Sequence, residues 1–328
     1  MTIKLKLIFI LSTCFLLSNA LIPHVLWDHF KISFSKAYST EFEDQYRFQV
    51  FQRNLELIAE MQQADSTAEY GITQFSDLTP HEFQSLYLGY KPVPAASQPI
   101  ETTIISNITD PVPDSWDWRD KGAVTLPKDQ GICGACWAFS AVAAIESQYY
   151  LKHNTMFNLS EQQLIDCNTA GNGCYGNGSM IEAYEWLSGG SGLEREEDYP
   201  YFGFAMPCAM NTSYEVAKVT GYTNISQDED VIAQSLYTSG PLSTAINGDW
   251  LQFYKKGVVS PVICAKNKLN HAVALVGFGS EEEKGKDVDY WIAKNSWGSG
   301  WGEEGFFRIK RGSGMCGINL NVSLPIVG

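Results

Sequence analysis

Histidine is scarce in this chain: His24, His29, His81, His153 and His271 are the five among 328 residues. Any chemistry that needs an imidazole has few places to sit. Positive charge is short as well. Lysine and arginine number 23 against 37 aspartates and glutamates, for a net charge of −14 and a pI near 4.8. An acidic surface argues against nucleic acid and anionic membranes as partners. Long apolar runs are missing too. A spanning helix needs about 20 apolar residues, and the one candidate, Leu7 to Leu17, is well short of that. With Lys4 and Lys6 before it and Ser18-Asn19-Ala20 after it, it reads as a secretory signal over residues 1–20. A second close cysteine pair is also lacking. Cys133 and Cys136 are three apart, but Cys167 and Cys174 are seven apart, which is poor spacing for a structural zinc site. No metal and no cofactor are expected.

Secretion changes how the cysteines read. Of eight, Cys14 leaves with the signal. In an oxidising compartment most of the remaining seven pair, and an odd count leaves at least one thiol free or bonded to another chain. Asn-x-Ser/Thr sequons begin at Asn107, Asn158, Asn177, Asn211, Asn224 and Asn321. Of these, Asn158, Asn211 and Asn224 are candidate glycan sites.

Along the chain, residues 24–62 carry helical periodicity, with Trp27, Phe30 and Phe34 on one face and Val50, Phe51, Leu55 and Ile58 on another. An extended piece is expected at 71–77. Thr79-Pro80-His81-Glu82 then opens a further helix. Residues 91–112 hold prolines among small polar residues and read as a linker open to proteolysis. Helices are expected at 136–152, 160–166, 180–187 and 228–239. From 241 onward the pattern turns to strands, at 271–277, 289–294 and 305–310, with 281–287 as a charged hairpin loop. Helices first and strands later indicate an α+β protein with a helical half and a β half.

A thiolate nucleophile needs an acidified thiol, and a helix N-terminus helps through its dipole and free N–H groups. Cys136 opens the predicted helix, while Cys133 lies a turn earlier in a Gly-rich loop. The partner imidazole follows by elimination. Three histidines precede the linker, and His153 ends the Cys136 helix about 25 Å from its start. His271, at the head of a strand, is left. Asn295 could orient its ring, Trp297 could shield that bond, and the Gln130 amide could join the Cys136 N–H in an oxyanion hole.

With those residues in place, the sequence resembles the papain-like cysteine proteases, in the cathepsin L-like branch. Cys133-Gly-Ala-Cys-Trp137 matches the signature around the nucleophile, with His271 135 residues beyond Cys136 and Asn295 159 beyond it. Asp117-Trp-Arg119, Lys121-Gly-Ala-Val124, Ser160-Glu-Gln-Gln-Leu164 and Trp301-Gly-Glu303 extend the match. The resemblance is strongest to cathepsins encoded by insect baculoviruses. It implies a two-lobe fold, one lobe helical and one β-barrel-like, with Cys136 and His271 as an ion pair and Asn295 as orienter. It also implies disulfides Cys133–Cys174, Cys167–Cys208 and Cys264–Cys316. Glu43, Arg47, Phe51, Asn54 and Ile58 follow the family's propeptide signature, with Gln62 in place of its last Asn. Gly71, Thr73, Phe75 and Asp77 follow a second motif, with Thr73 in place of Asn.

The expected organisation is therefore a signal at 1–20, an inhibitory propeptide at 21–112 and a peptidase domain at 113–328. The expected activity is a monomeric, secreted or lysosome-like cysteine endopeptidase made as a zymogen. Its expected partners are protein or peptide substrates and its own propeptide. The competing expectation is a catalytically silent relative that binds without cutting. On the substrate side, Gly176 and Gly178 replace the family's consecutive glycines. A glycan on Asn177 between them would crowd the cleft, so that sequon is expected to be empty. Asn321 falls at the base of the pocket for the substrate's second residue, where a neutral side chain favours Leu, Val or Phe over Arg.

Overall fold

The computed structural model describes residues 22–93, 111–171, 173–283 and 285–328. The segment expected as a signal, most of the expected linker and the Asn107 sequon lie outside them. Helix α1 covers residues 22–33 and α2 covers Glu41–Ala64. The single helical stretch expected over 24–62 is thus two helices. Ser35 takes a left-handed conformation (φ 51°), and Thr40 caps α2, its side chain accepting from the Glu43 N–H. The two helices close on a small aromatic core of Trp27, Phe30 and Phe51.

Strand β1 (Ala68–Tyr70) follows, ahead of the extended piece expected at 71–77. Residues 74–77 instead form a turn. Asn54 fixes it by donating to the carbonyls of Ser76 and Leu78 at 2.9 and 2.8 Å. Asp77 accepts from Lys36 and Tyr38. Helix α3 (Pro80–Tyr87) begins with a capping box between Thr79 and Glu82, and Arg47 on α2 reaches both Glu82 carboxylate oxygens at 3.0 Å. The two departures from the propeptide motifs keep working contacts. Gln62 pins β1 through the Ala68 carbonyl and the Tyr70 N–H. Thr73 donates to the Gln252 carbonyl at 2.6 Å.

Helices α4 (Cys136–His153), α5 (Glu161–Cys167) and α6 (Met180–Ser188) form one lobe. It has its own core of Trp137, Ile145, Leu164, Tyr184 and Leu187. The other lobe is built on strands, with α7 (Glu229–Ser239) packed against them. The strands are β2 (Trp116–Asp117), β3 (Gly192–Leu193), β4 (Ala217–Asn224), β5 (Leu242–Ile246), β6 (Tyr254–Val259), β7 (His271–Glu283), β8 (Lys286–Lys294), β9 (Phe306–Lys310) and β10 (Val322–Val327). They run in the order β1-β6-β9-β8-β7-β5-β10-β4-β3, with β2 alongside β7. The β7–β8 ladder continues to Glu283 opposite Lys286. The charged stretch expected as a hairpin loop is therefore mostly strand, because charged residues are compatible with the solvated face of an antiparallel pair as well as with a loop.

One feature crosses the expected domain boundary. Strand β1 pairs antiparallel with β6, Ala68 opposite Gly257. Met61, Tyr70, Phe75, Phe83 and Leu88 join the same apolar core as Trp291, Trp297 and Trp301. The N-terminal segment thus completes the β lobe's sheet and core.

Candidate active site

Three elements converge between the lobes. Helix α4 starts at Cys136, and its cap residue Ala135 makes no side-chain hydrogen bond, so the first N–H groups are not taken by a cap. Strand β7 starts at His271, opposite Ile246 of β5. Strand β8 ends at Lys294, delivering Asn295 beside it.

His271 and Cys136 are both fully buried. The His271 Nε2 lies 2.8 Å from Asn295 Oδ1, which also accepts from the Ser296 N–H at 2.9 Å. An amide oxygen only accepts, so Nε2 carries the proton and Nδ1 bears the lone pair. Nδ1 has no hydrogen-bond partner, and it is the ring nitrogen left for a reacting group. Trp297 stacks on the imidazole, centroids 4.7 Å apart and planes 26° apart. It is itself braced edge-on by Trp301.

Gln130 is buried and held from several sides. Its backbone N–H donates to the Ser296 carbonyl, its Oε1 accepts from Ser296 Oγ, and its carbonyl accepts from Tyr201. That leaves Nε2 fixed, donating to the carbonyls of Cys133 at 2.9 Å and Tyr87 at 3.1 Å. The sequence assigns Ser296 and Tyr201 no role, although Ser296 lies within Asn295-Ser296-Trp297, because each acts by holding a residue far along the chain.

The cysteines bond as Cys133–Cys174, Cys167–Cys208 and Cys264–Cys316, with Cys136 free. The first of these ties the loop before α4 to the loop that carries Gly176 and Gly178. Gly178 packs flat on Trp137, where a Cβ would sit 2.4 Å from the indole, so only glycine fits. Between the two glycines, Asn177 is exposed and left-handed (φ 72°).

The site is covered by the chain itself. Residues 87–91 lie across it, a path the sequence did not reveal. Tyr87 places its carbonyl on Gln130. Gly89 accepts from the Asn177 N–H at 2.8 Å, and its N–H reaches the Cys136 sulfur. Gly89 runs so close to the Gly134 backbone that a Cβ would fall 1.9 Å from its carbonyl oxygen. Tyr90 bridges to Gly178 in parallel orientation and donates its N–H to the Asn270 carbonyl. Asn321 reaches the Tyr90 hydroxyl at 2.5 Å. The one sequence signal here is a glycine with no turn to explain it.

In this covered state the thiol is less acidic than its place at a helix start suggests. Burial pushes Cys136 up to about 11, although N–H groups from Ala272, Gly89 and Trp137 pull the other way. Burial takes His271 down to about 4, against a smaller opposing effect from Asn295. In the covered state both groups are held neutral across the physiological range. The helix N-terminus acts on the thiol as expected, but loss of water is the larger effect.

Residues 112–326 match the papain family cysteine protease model, and residues 27–83 match the cathepsin propeptide inhibitor domain. The chain belongs to the papain family of cysteine proteases. Cysteine proteinase 15A of Pisum sativum is 44 % identical over 309 residues, spanning 90 % of this chain and 84 % of its own. A viral cathepsin of Adoxophyes honmai nucleopolyhedrovirus is 39 % identical, spanning 89 % and 88 %. Among solved structures, digestive procathepsin L 3 of Tenebrio molitor larval midgut superposes with a TM-score of 0.81 at 36 % identity, over 92 % of this chain and 98 % of that one. The protein is thus a cysteine protease that carries a cathepsin propeptide, and the segment lying over Cys136 leads out of that propeptide.

The remaining sequence-expected sites are spread over the surface. Asn158 and Asn211 are exposed, and Asn224 is half-buried on β4. Among the described residues no helix is long and apolar enough to cross a membrane.

Proposed function

We propose that the chain is a secreted endopeptidase zymogen in which Cys136 is the nucleophile, His271 the acid and base, Asn295 its orienter, and Gln130 with the Cys136 N–H the oxyanion hole. The reading is carried by one arrangement: a ring fixed by Asn295 beneath Trp297, between an uncapped helix start and a covering strand of the same chain. Once uncovered, the thiol passes its proton to His271 Nδ1. The thiolate attacks a substrate carbonyl, and the resulting oxyanion is held by the two donors. The C–N bond breaks as Nδ1–H protonates the leaving amine, giving a thioester at Cys136. Water then adds, with His271 taking its proton, and releases the acid and the free thiol. A neutral Asn321 supports an apolar preference at the substrate's second residue. The export signal, the disulfides and the sequons support a secretory route to a lysosome-like or extracellular compartment, with glycans on Asn158, Asn211 and Asn224.

The test is alkylation of the matured enzyme at pH 5–6 with iodoacetamide or an epoxide, where ordinary thiols are protonated. Stoichiometric labelling at Cys136 alone, with loss of peptidase activity, is expected. No labelling, or labelling of Cys133 as well, rules the assignment out.

Acid should open the cover. His271 is held near 4 when covered, below its ordinary 6.5. The neutral ring therefore contributes stability that is fully present above about pH 6.5 and is lost as pH falls toward 4. The full effect is on the order of 3 kcal/mol. In the Cys136→Ala chain, which cannot process itself, cleavage of the propeptide by an added protease should rise steeply between pH 6.5 and 4. A rate flat over that range contradicts the coupling.

A further inference from the structure

We propose that the pocket ending at Asn321 recognises a phenol, so that tyrosine is preferred over phenylalanine and leucine as the substrate residue seated there. This rests on the endopeptidase reading and sharpens its apolar preference into a specific one. The chain's own residue in this pocket is Tyr90, which is 6 % exposed. Its backbone is fixed at the rim by the bridge to Gly178 and by the hydrogen bond to Asn270. At the far end its hydroxyl accepts from Asn321 Nδ2 at 2.5 Å. The ring is thus held along its length, apolar sides among apolar neighbours and polar tip on an amide.

Asn321 is well placed to read a hydroxyl. It stands at the head of β10, whose first residue, Val322, pairs with Thr244. The disulfide at Cys316 anchors the turn before it. Tyr90 is the partner the structure gives to its amide nitrogen. A phenylalanine in the same position would fill the pocket but leave that donor with only such water as reaches the half-buried amide. A leucine would leave space unfilled as well. Sites built to bond a hydroxyl discriminate against analogues that lack it, and more strongly the drier they are. At this half-buried position the ratio is put at about fivefold. A glycan on Asn321 would fill the same pocket, so this sequon must be empty in active enzyme.

The test compares dipeptide fluorogenic substrates that differ only at the second residue: Tyr, Phe, Leu or Arg, each followed by Arg at the cleaved bond. Mature enzyme should show a kcat/KM for Tyr about fivefold above Phe, with Leu lower still. Asn321→Leu should bring the Tyr-to-Phe ratio to about one. Asn321→Asp, which can accept the phenol proton instead, should keep tyrosine ahead and raise turnover of the Arg peptide. This second variant keeps the proposal testable if the first does not fold. Equal turnover of Tyr and Phe by the wild type, a ratio unchanged in Asn321→Leu, or a preference for Arg in the wild type overturns it. If no peptide is cut and Cys136 resists alkylation, the endopeptidase reading fails instead.

Discussion

Cys136→Ala is expected to lower peptide hydrolysis by roughly 10⁴-fold or more, while the proform folds and stays at full length. Chemically, no other thiol can substitute, because the six other described cysteines are in disulfides. Structurally, the change is mild. Alanine suits the first turn of α4 better than cysteine does, and the lost sulfur leaves a small void beneath Gly89. Mass spectrometry after acid incubation reads the outcome: one species at proform mass. Prompt self-maturation of this variant would place the nucleophile elsewhere.

The second large effect is expected at Gln130. Removing one oxyanion donor costs about 10²–10³ in kcat, and Gln130→Ala should fall in that range with KM little changed, since the bond is made to the transition state. The same amide holds the Tyr87 carbonyl in the covered state, so the variant should also release its propeptide more readily. Gln130→Glu separates the two roles of the side chain. Its second oxygen still accepts from Ser296, as Gln130 Oε1 does, but it presents an acceptor where a donor is needed. Activity should fall at least as far as in the alanine variant, and the Glu proform should melt below the Ala one, because a buried carboxylate oxygen would face the Cys133 and Tyr87 carbonyls that Nε2 now bonds. A drop in KM-linked affinity alone, with kcat intact, would remove Gln130 from the oxyanion hole.

What could be read from the sequence was what local chemistry writes there. Thr79 and Ser160 each lie one residue before the helix they cap. The pairing of His271 with Asn295 was legible because each sits at the end of a strong strand pattern, and the neighbouring strands β7 and β8 bring those ends together. The path of residues 87–91 was not legible. It has no periodicity, and its positions are set by contacts with Gln130, Gly134, Gly178 and Asn321, all remote in the chain. The weak acidity of Cys136 in the covered proform was not legible either. The helix start that favours the thiolate is local, but the burial that outweighs it comes from segments far apart in the chain, with Gly89 lying 47 residues upstream over the sulfur.

The β1–β6 pairing has a consequence in time. Thr67 donates to the Val258 carbonyl across 191 residues, and a ribosome adding about 5–20 residues per second needs on the order of 10–40 s to make them. In that interval the aromatic core of Trp27, Phe30 and Phe51 has every residue it needs to close. The β lobe is made last, and β1 has no strand to pair with until β6 arrives. Once the propeptide is cut away that partner is gone, and a mature chain that unfolds must refold β6 without the strand it pairs with in the full-length protein.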